Sequence, residues 1–463
     1  MKPLSKLSIV GYGAGDAANN LAFTTASMFL LVYYTDVAGI SAAAAGTLLL
    51  VVRIFDAFAD IFAGRMVDKV FTKRWGKFRP FIMFGSLPLL LLTFAVFHVP
   101  GGPENPSLVY AYLSYAALGL AYSLVNIPYG SMAGAMTQDP SDRAKLAGAR
   151  TVGGLLVSAI LGMVVAPMFS KDADLQPVFT TLTIIFIILG TALYLFCVLT
   201  SKERVQRDVQ QVSLKQSFDT LKSNSPLLML CLSSLILLTG MMTLGTVQLY
   251  YFRDVMGNLN LFAVASGVQL AVSLVLSILM PRIVRAIGKR TVYMVFGTVV
   301  MLGGLAVFLV PAGSGVLALL AISLINVGLG GVNVVIWALE ADTVEYGEWK
   351  TGVRTEGIIY ALFSFTRKAG QAIGGALAAY ALAWGGYNAA DAIQSDQAML
   401  GIKVAAGAIP MVLAGLAVLA MSRYKLTDAV HASILHDIHE RRALAAQATT
   451  APRGSDNAEQ PAG

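Results

Sequence analysis

Residues 291–339 read TVYMVFGTVVMLGGLAVFLVPAGSGVLALLAISLINVGLGGVNVVIWAL and contain no charged side chain. A helix needs about 20 apolar residues to cross the hydrocarbon core of a bilayer, so this stretch is too long for a single span. Pro311-Ala-Gly-Ser-Gly315 lies near its middle and has the residue types that end helices. The stretch therefore predicts a hairpin of two membrane-spanning helices.

The composition of the whole chain supports this interpretation. Of its 463 residues, 56% are hydrophobic and 13% are charged, whereas a soluble domain has about 25% charged residues. Most of the surface must therefore face lipid. This excludes a soluble enzyme, a nucleic-acid-binding protein and a disordered scaffold as the main interpretation.

Uncharged segments supply most of the remaining spans, and the two N-terminal spans contain a few charged residues. Together with the hairpin they predict an all-α integral membrane protein with twelve transmembrane helices. The other ten predicted spans lie within residues 9–34, 41–66, 81–103, 105–138, 151–170, 175–201, 223–252, 255–281, 369–390 (extended backward to include Lys368) and 404–422.

The basic residues orient these spans. They follow every second span and occupy both tails, whereas the alternate connections hold only Lys171, Arg253 and Lys403. Because positively charged loops stay in the cytoplasm, both termini are predicted to be cytoplasmic. An even number of spans agrees with this orientation.

A polar connection divides the chain into two halves. We expect an N-terminal six-helix half at residues 1–200, a cytoplasmic central loop at 201–225, a C-terminal six-helix half at 226–425 and a cytoplasmic tail at 426–463. Within the tail, residues 426–447 are predicted to form a surface helix and residues 448–463 to be disordered. Two six-helix halves around a midplane site are the architecture of the major facilitator superfamily.

Charged residues within the spans are the candidates for function, because each costs roughly 2.5–3.5 kcal/mol at the centre of a bilayer. Arg53, Asp56 and Asp60 share one face of the second span. Two carboxylates at this spacing repel each other unless a cation or a proton lies between them, which suits proton loading and release. The alternative is a structural network in which Arg53 neutralises Asp56 and water hydrates Asp60.

Polar residues on the first and fourth spans suggest a sugar site. Asp16 is a candidate acceptor for sugar hydroxyls, with an interhelical tie as the alternative. Tyr122, Asn126 and Tyr129 fall on roughly one helical face and resemble a polyol-binding wall, although ordinary hydrogen bonds between helices would explain them equally well.

Two further features concern Lys368 and an acidic segment. A buried ammonium at Lys368 can pair with an aspartate or hold an anionic substrate. The acidic loop at residues 340–348 and a following arginine predict a cytoplasmic salt-bridge gate, with a solvated loop as the alternative. The predicted gate residues are Asp342, Glu345, Glu348 and Arg354.

Signatures of other chemistry are missing from the sequence. It has no phosphate-binding loop, zinc-protease motif or Ser/His/Asp signature, so we expect no enzyme, no cofactor and no metal site. We also expect no nucleic-acid partner and no obligate protein partner. The partners would be the lipid bilayer and a small-molecule substrate, moved by an ion gradient or by its own gradient.

Several long motifs resemble the glycoside–pentoside–hexuronide:cation symporter family, and within it the branch that carries glucuronides with protons. The likeness extends from about residue 11 to residue 387. Its motifs are Gly11-Tyr-Gly-Ala-Gly-Asp-Ala-Ala-Asn-Asn20, Tyr33-Tyr-Thr-Asp36, Arg53-Ile-Phe-Asp-Ala-Phe-Ala-Asp60, Arg74-Trp-Gly-Lys-Phe-Arg-Pro80, Asn126-Ile-Pro-Tyr-Gly130, Ala338-Leu-Glu-Ala-Asp-Thr-Val-Glu-Tyr-Gly-Glu348 and Phe363-Ser-Phe-Thr-Arg-Lys-Ala-Gly-Gln-Ala-Ile-Gly-Gly375.

The resemblance implies roles for individual residues. The positions matching the family's sugar site are Asp16, Tyr122, Arg150 and Lys368, and those matching its cation site are Asp56, Asp60 and Ser123. Compared with the melibiose-carrying branch, Ala59 replaces an asparagine cation ligand, Asn126 replaces an aspartate and Gly130 replaces a tryptophan. The first change weakens a sodium site, and the second removes repulsion against a carboxylated sugar.

Together these features predict a secondary transporter of the bacterial inner membrane that imports β-glucuronides with protons by alternating access. A Na⁺- or H⁺-coupled symporter of neutral glycosides or pentosides is the alternative, and a nontransporting membrane receptor is a more distant one. In either transporter the coupling ion is H⁺ or Na⁺.

Overall fold

The computed structural model describes residues 3–72, 74–171, 173–204, 223–352 and 356–450. In these residues the one β-type pairing is an isolated bridge between Thr72 and Gly76, and nearly everything else is helical. The prediction of an all-α membrane protein is confirmed. Residues 205–222 of the predicted central loop, Arg354 of the predicted gate and residues 451–463 of the tail lie outside the described residues.

Twelve helices long enough to cross a bilayer occur within the described ranges, followed by a tail helix, α13 (Asp428–Thr450). The twelve are α1 (Lys6–Val32), α2 (Ala42–Lys69), α3 (Arg79–Val96), α4 (Leu108–Met136), α5 (Pro140–Ile160), α6 (Leu175–Thr200), α7 (Ser225–Tyr250), α8 (Asn260–Ile287), α9 (Lys289–Leu309), α10 (Gly315–Thr351), α11 (Glu356–Gly385) and α12 (Asp396–Ser422).

Ten of these twelve helices are apolar enough by composition to be recognised as membrane spans. The other two are α1 and α11. Helix α1 contains Asp16, Asn19 and Asn20, and helix α11 contains Arg367 and Lys368. The two helices with the weakest membrane signal therefore carry several of the predicted site residues.

Turns and caps follow the sequence signals in most places. The predicted hairpin is confirmed, because α9 ends at Leu309 and α10 begins at Gly315. The acidic segment at residues 340–348, however, is not a loop but the last part of α10. No proline interrupts it, and the helix ends where Gly352 takes a φ of 73°, a conformation that glycine adopts without steric cost.

Close packing holds each half together. In the first half, α1 packs against α5 and α6, and α4 packs against α2 and α3. A side chain at Gly13 would lie 2.7 Å from the carbonyl oxygen of Ala149, so the α1–α5 contact needs a glycine there. In the second half, α9 packs against α10 and α12, and α7 packs against α11 and α12.

Among the described residues, the most extensive helix contacts between the two halves are those of α2 with α11, α1 with α7 and the end of α5 with α8. We call the side on which α1 begins and α12 ends the terminal face, and the other side the opposite face. The hydroxyl groups of Thr47 in α2 and Tyr380 in α11 are hydrogen-bonded to each other, and so are those of Thr35 and Tyr250. Both hydrogen bonds lie near the opposite face. The halves are thus joined where α1, α7 and α11 end.

Candidate functional site

A cavity of about 520 Å³ lies between α2, α4 and α11. A pocket of this size suits a small glycoside. One part of its wall is polar and the other is apolar. The polar lining residues are Arg53, Asp56, Tyr122, Ser123, Asn126, Lys368 and Gln371, and the large apolar ones are Phe23, Leu50, Ile54, Phe58, Phe365 and Ile373.

Asp60 and Lys368 form an ion pair between the two halves of the molecule. The hydroxyl of Ser123 donates a hydrogen bond of 2.6 Å to the other oxygen of Asp60. The Lys368 side chain is 42% exposed and that of Asp60 is 22% exposed, so water and a ligand can reach both groups. The pair can therefore exchange partners without a change in the fold.

Asp56 lies deeper and is held less tightly. Its Oδ2 atom is 3.6 Å from Nη1 of Arg53, whose guanidinium also lies over the rings of Phe23 and Tyr115 at 5.3 and 6.0 Å. Among the described residues, no group hydrogen bonds Oδ1 of Asp56, although this atom is buried. A buried carboxylate oxygen without a partner is free to take a proton or to accept a bond from a ligand hydroxyl.

Gly119 of α4 makes room for Asp56. A Cβ atom at this position would collide with the Asp56 carboxylate. The Gly119→Ala substitution should therefore displace the carboxylate and cost about 1–3 kcal/mol through overpacking, which we expect to lower the transport rate about tenfold or more. Radiolabelled uptake measures this. The matched control is Gly130→Ala on the same helix, where the nearest atom is 3.9 Å away. Equal rates in the two variants would contradict the prediction.

Asp16 and Arg150 form a second cluster, between α1, α4 and α5. Nε of Arg150 donates to Oδ1 of Asp16 at 2.8 Å, and Asn20 donates to Oδ2 at 2.9 Å. Tyr129 is buried, stacks on Tyr12 at 4.6 Å and donates to its carbonyl oxygen at 2.6 Å. In this structure, Tyr129 therefore ties α4 to α1.

Each of the three predicted site carboxylates has one cation as its partner. The three acids carry three negative charges, the three bases carry three positive charges, and the sum is zero. The pairs are Asp16 with Arg150, Asp56 with Arg53 and Asp60 with Lys368. The arrangement can accept an anion without excess charge only if a cation or proton enters with it.

Two acids of the predicted gate, Asp342 and Glu345, contact α9 and the tail helix. Asp342 pairs with Lys289 at 2.5 Å, and His431 of α13 is 2.5 Å from Glu345. Glu348 lies one turn further along α10. Ligand atoms of Asp342, Glu345 and His431 all lie within 4.8 Å of one another, as in a metal-binding cluster, but Lys289 already neutralises part of this charge. The gate role of these acids stays a prediction.

Several cavity residues were not predicted. Gln371 and Phe365 lie on the face of α11 that carries Lys368. The helical spacing from Lys368 to Gln371 indicates in the sequence that these two polar residues share a face. Phe23 stacks on Tyr122 at 5.4 Å. An apolar residue in an apolar span gives no signal of its own, so Phe23 and Phe365 could not be found from sequence.

Comparison with known proteins gives the family. The profile of the family described as MFS/sugar transport protein matches residues 11–428. The chain belongs to this family. It is 45% identical over 448 residues to the glucuronide carrier protein homolog of Escherichia coli (strain K12), covering 96% of this chain and 98% of that protein. It is 34% identical to the isoprimeverose transporter of Lactiplantibacillus pentosus, covering 93% of this chain and 91% of that protein.

A solved structure supports the fold. A bacterial homologue of the iron transporter ferroportin in an inward-facing state matches with a TM-score of 0.64 and 15% identity, covering 91% of this chain and 99% of that chain. The protein is thus a glycoside–pentoside–hexuronide:cation symporter with the major facilitator fold, a multi-pass membrane transporter of sugars rather than an enzyme.

Proposed function

We propose that this symporter imports β-glucuronides together with protons, by alternating access, across the inner membrane of a bacterium. The observation that carries the proposal is the neutral set of three acid–base pairs, of which Arg53, Asp56 and Lys368 line the cavity. A glucuronide brings one negative charge. Entering with one proton, it leaves the loaded site as neutral as the empty one, so neither form bears an unpaired charge in a low-dielectric environment.

In this proposal, Lys368 couples the binding of the proton to the binding of the substrate. In the empty carrier it neutralises Asp60. A proton on Asp60 removes that charge and leaves the ammonium without a partner. The substrate carboxylate then takes the place of the Asp60 carboxylate, because an exposed ammonium pairs readily with any nearby anion. Ser123 donates a hydrogen bond to the Asp60 carboxylate, and the carbonyl oxygen of a protonated Asp60 can accept the same bond.

The sugar hydroxyls would be bound by the other polar groups of the wall. Tyr122 and Asn126 line the cavity, and the free oxygen of Asp56 can accept from a hydroxyl. Asp16 and Arg150 would complete the ring of contacts as the helices close around the substrate, and Tyr129 would hold α1 on α4. The phenyl groups of Phe23, Phe58 and Phe365 give an apolar aglycone a surface to pack against.

A proton is favoured over sodium as the coupling ion. Sodium needs several oxygen ligands, and Ala59 offers none where the melibiose-carrying branch has an asparagine. In addition, the Lys368 ammonium already lies against Asp60, where it would compete with a metal cation. A proton requires only one carboxylate. The basic terminal face is taken as the cytoplasmic one, with both termini inside.

The experiment that tests the proposal is uptake of a radiolabelled aryl β-glucuronide into proteoliposomes. We expect an inwardly directed proton gradient to drive accumulation of about tenfold per pH unit at one proton per substrate, and a protonophore to abolish it. A membrane potential imposed at constant pH should have no effect, because the cycle moves no net charge.

Three results would overturn this function. Accumulation driven by the potential at constant pH would contradict the electroneutral cycle. Dependence of uptake on a sodium gradient would identify Na⁺ rather than H⁺ as the coupling ion. Equal competition by a neutral β-glucoside with the same aglycone would favour the alternative, a carrier of neutral glycosides or pentosides.

A further inference from the structure

The ends of α1 and α7 at the opposite face carry matching segments. Residues 33–39 read YYTDVAG, and residues 251–257 read YFRDVMG. Each begins with a π-helical turn, Tyr33–Val37 and Tyr251–Val255, and each ends with a glycine at positive φ, 72° at Gly39 and 67° at Gly257. Such π-turns are rare and occur frequently at functional sites. The repeat places two aspartates, Asp36 and Asp254, at equivalent positions in the two halves.

Arg253 connects these segments across the boundary between the halves. Its Nη2 atom is 2.7 Å from Asp36 of α1's π-turn and 3.2 Å from Asp254. The same nitrogen donates to the hydroxyl of Tyr387, which in turn donates to Asp36 at 3.0 Å. Lys171, which follows α5, is 3.0 Å from the other oxygen of Asp254. One guanidinium thus joins chain segments at the ends of α1, α7 and α11.

The network is buried and electrically balanced. The side chains of Arg253, Asp36 and Asp254 are 5%, 9% and 0% exposed. Among the described residues, two carboxylates face two cations, Arg253 and Lys171. Burying charges is costly unless they are paired, and removing one partner of such a pair leaves the other charge uncompensated.

A second layer of closure lies between this network and the cavity. The space there is bounded by Leu31, Leu49, Tyr115 and Thr246 and has a volume of about 20 Å³. That is room for a single water molecule. A sugar is far too large to pass through a space of this size.

We propose that Arg253 is the gating residue of the opposite, periplasmic face and that its ion pair with Asp36 closes the transport path in the state described here. An ion pair suits this task because the two charges are hydrated when the halves separate, which offsets the loss of the contact. Packed apolar side chains would instead expose apolar surface on opening. Arg253 positions α1 against α7 and does not touch substrate. The proposal rests on the proposed function only in assuming that the path carries a solute.

Cysteine labelling tests the gate without any substrate. The native Cys197 and Cys231 are both buried and are first replaced with serine. Thr246→Cys then places a thiol beneath the gate, and right-side-out vesicles are treated with a membrane-impermeant maleimide. With Arg253 intact, labelling should be slow. In Arg253→Gln it should be at least tenfold faster, and Arg253→Lys, which keeps the charge, should restore most of the protection.

Two further variants make the test specific. Lys403→Gln removes a positive charge near the same face from a residue whose ammonium lies 6.0 Å from the ring of Phe308, and it should leave labelling unchanged. Asp36→Asn keeps Arg253 paired with Asp254 and should also open the gate. It replaces Arg253→Gln in the test if that variant fails to reach the membrane.

The gate proposal is overturned if Thr246→Cys reacts at the same rate with and without the Arg253–Asp36 pair. It is equally overturned if the increase appears in inside-out vesicles alone, since the gate would then face the cytoplasm. Because labelling needs no glucuronide and no proton gradient, a wrong substrate assignment would leave these rates unaltered. The two proposals therefore fail separately.

Discussion

Replacing Asp60 with asparagine should abolish accumulation of glucuronide against its gradient while leaving exchange of labelled for unlabelled substrate. Asparagine has the shape of a protonated aspartate and still accepts the hydrogen bond from Ser123. It cannot, however, release a proton or neutralise Lys368. The variant would behave as a carrier that is permanently protonated, so substrate binds and crosses but is not coupled to the gradient.

The size of the effect follows from the coupling ratio. With one proton per substrate, a gradient of one pH unit supports about tenfold accumulation, and without coupling the ratio falls to one. Uptake into proteoliposomes at a fixed pH difference measures this ratio, and counterflow measures exchange. Ser123→Ala is the matched control, because it removes the hydrogen bond to Asp60 without removing a charge. Full accumulation by Asp60→Asn would exclude this residue from the coupling site and direct attention to Asp56.

Replacing Lys368 with glutamine should remove the preference for a carboxylated sugar. Because the Lys368 side chain is 42% exposed, solvent screens its pairing with the substrate carboxylate, and its loss should cost less than the roughly 2–5 kcal/mol of a desolvated pair. We therefore expect the half-saturating concentration of the glucuronide to rise by on the order of tenfold. Transport of a neutral β-glucoside with the same aglycone should change little. Competition between the two labelled substrates measures the preference directly.

Two variants control for this result. Arg367→Gln removes the neighbouring charge, but the Arg367 guanidinium lies over Trp337 at 5.1 Å, so the preference should remain. Lys368→Arg keeps the charge and should recover part of the affinity. If Lys368→Gln retains the preference and Arg150→Gln loses it, the carboxylate binds at the Asp16–Arg150 pair instead, and the exchange of partners at Asp60 would be wrong.

The two substitutions are informative as a pair. Asp60→Asn is expected to lose coupling and keep affinity, whereas Lys368→Gln is expected to lose affinity for the anion. A double variant should transport the neutral glycoside without accumulation. An additive outcome of this kind is not expected of a structural ion pair, where either substitution alone would reduce the amount of folded protein.

Much of the fold could be predicted from local patterns. Uncharged stretches such as residues 291–339 predicted the spans, and the described helices agree with them. The acidic part of α10 was missed, because charge was taken as a sign of a loop. Lys289 and His431, which neutralise these acids, come from α9 and α13, and such partners leave no mark within the helix itself.

The sequence by itself determined which residues are unusual, because a charge in a membrane span is costly wherever its partner lies. For that reason Asp16, Arg53, Asp56, Asp60 and Lys368 stand out in the amino-acid sequence alone. Tertiary structure alone decided how they pair and which of them line the cavity. It likewise decided that Tyr129 packs against Tyr12 of α1. It also decided the role proposed for Arg253: a pair between residues 36 and 253 depends on how two distant helix ends meet, and spacing along one chain segment carries no record of that.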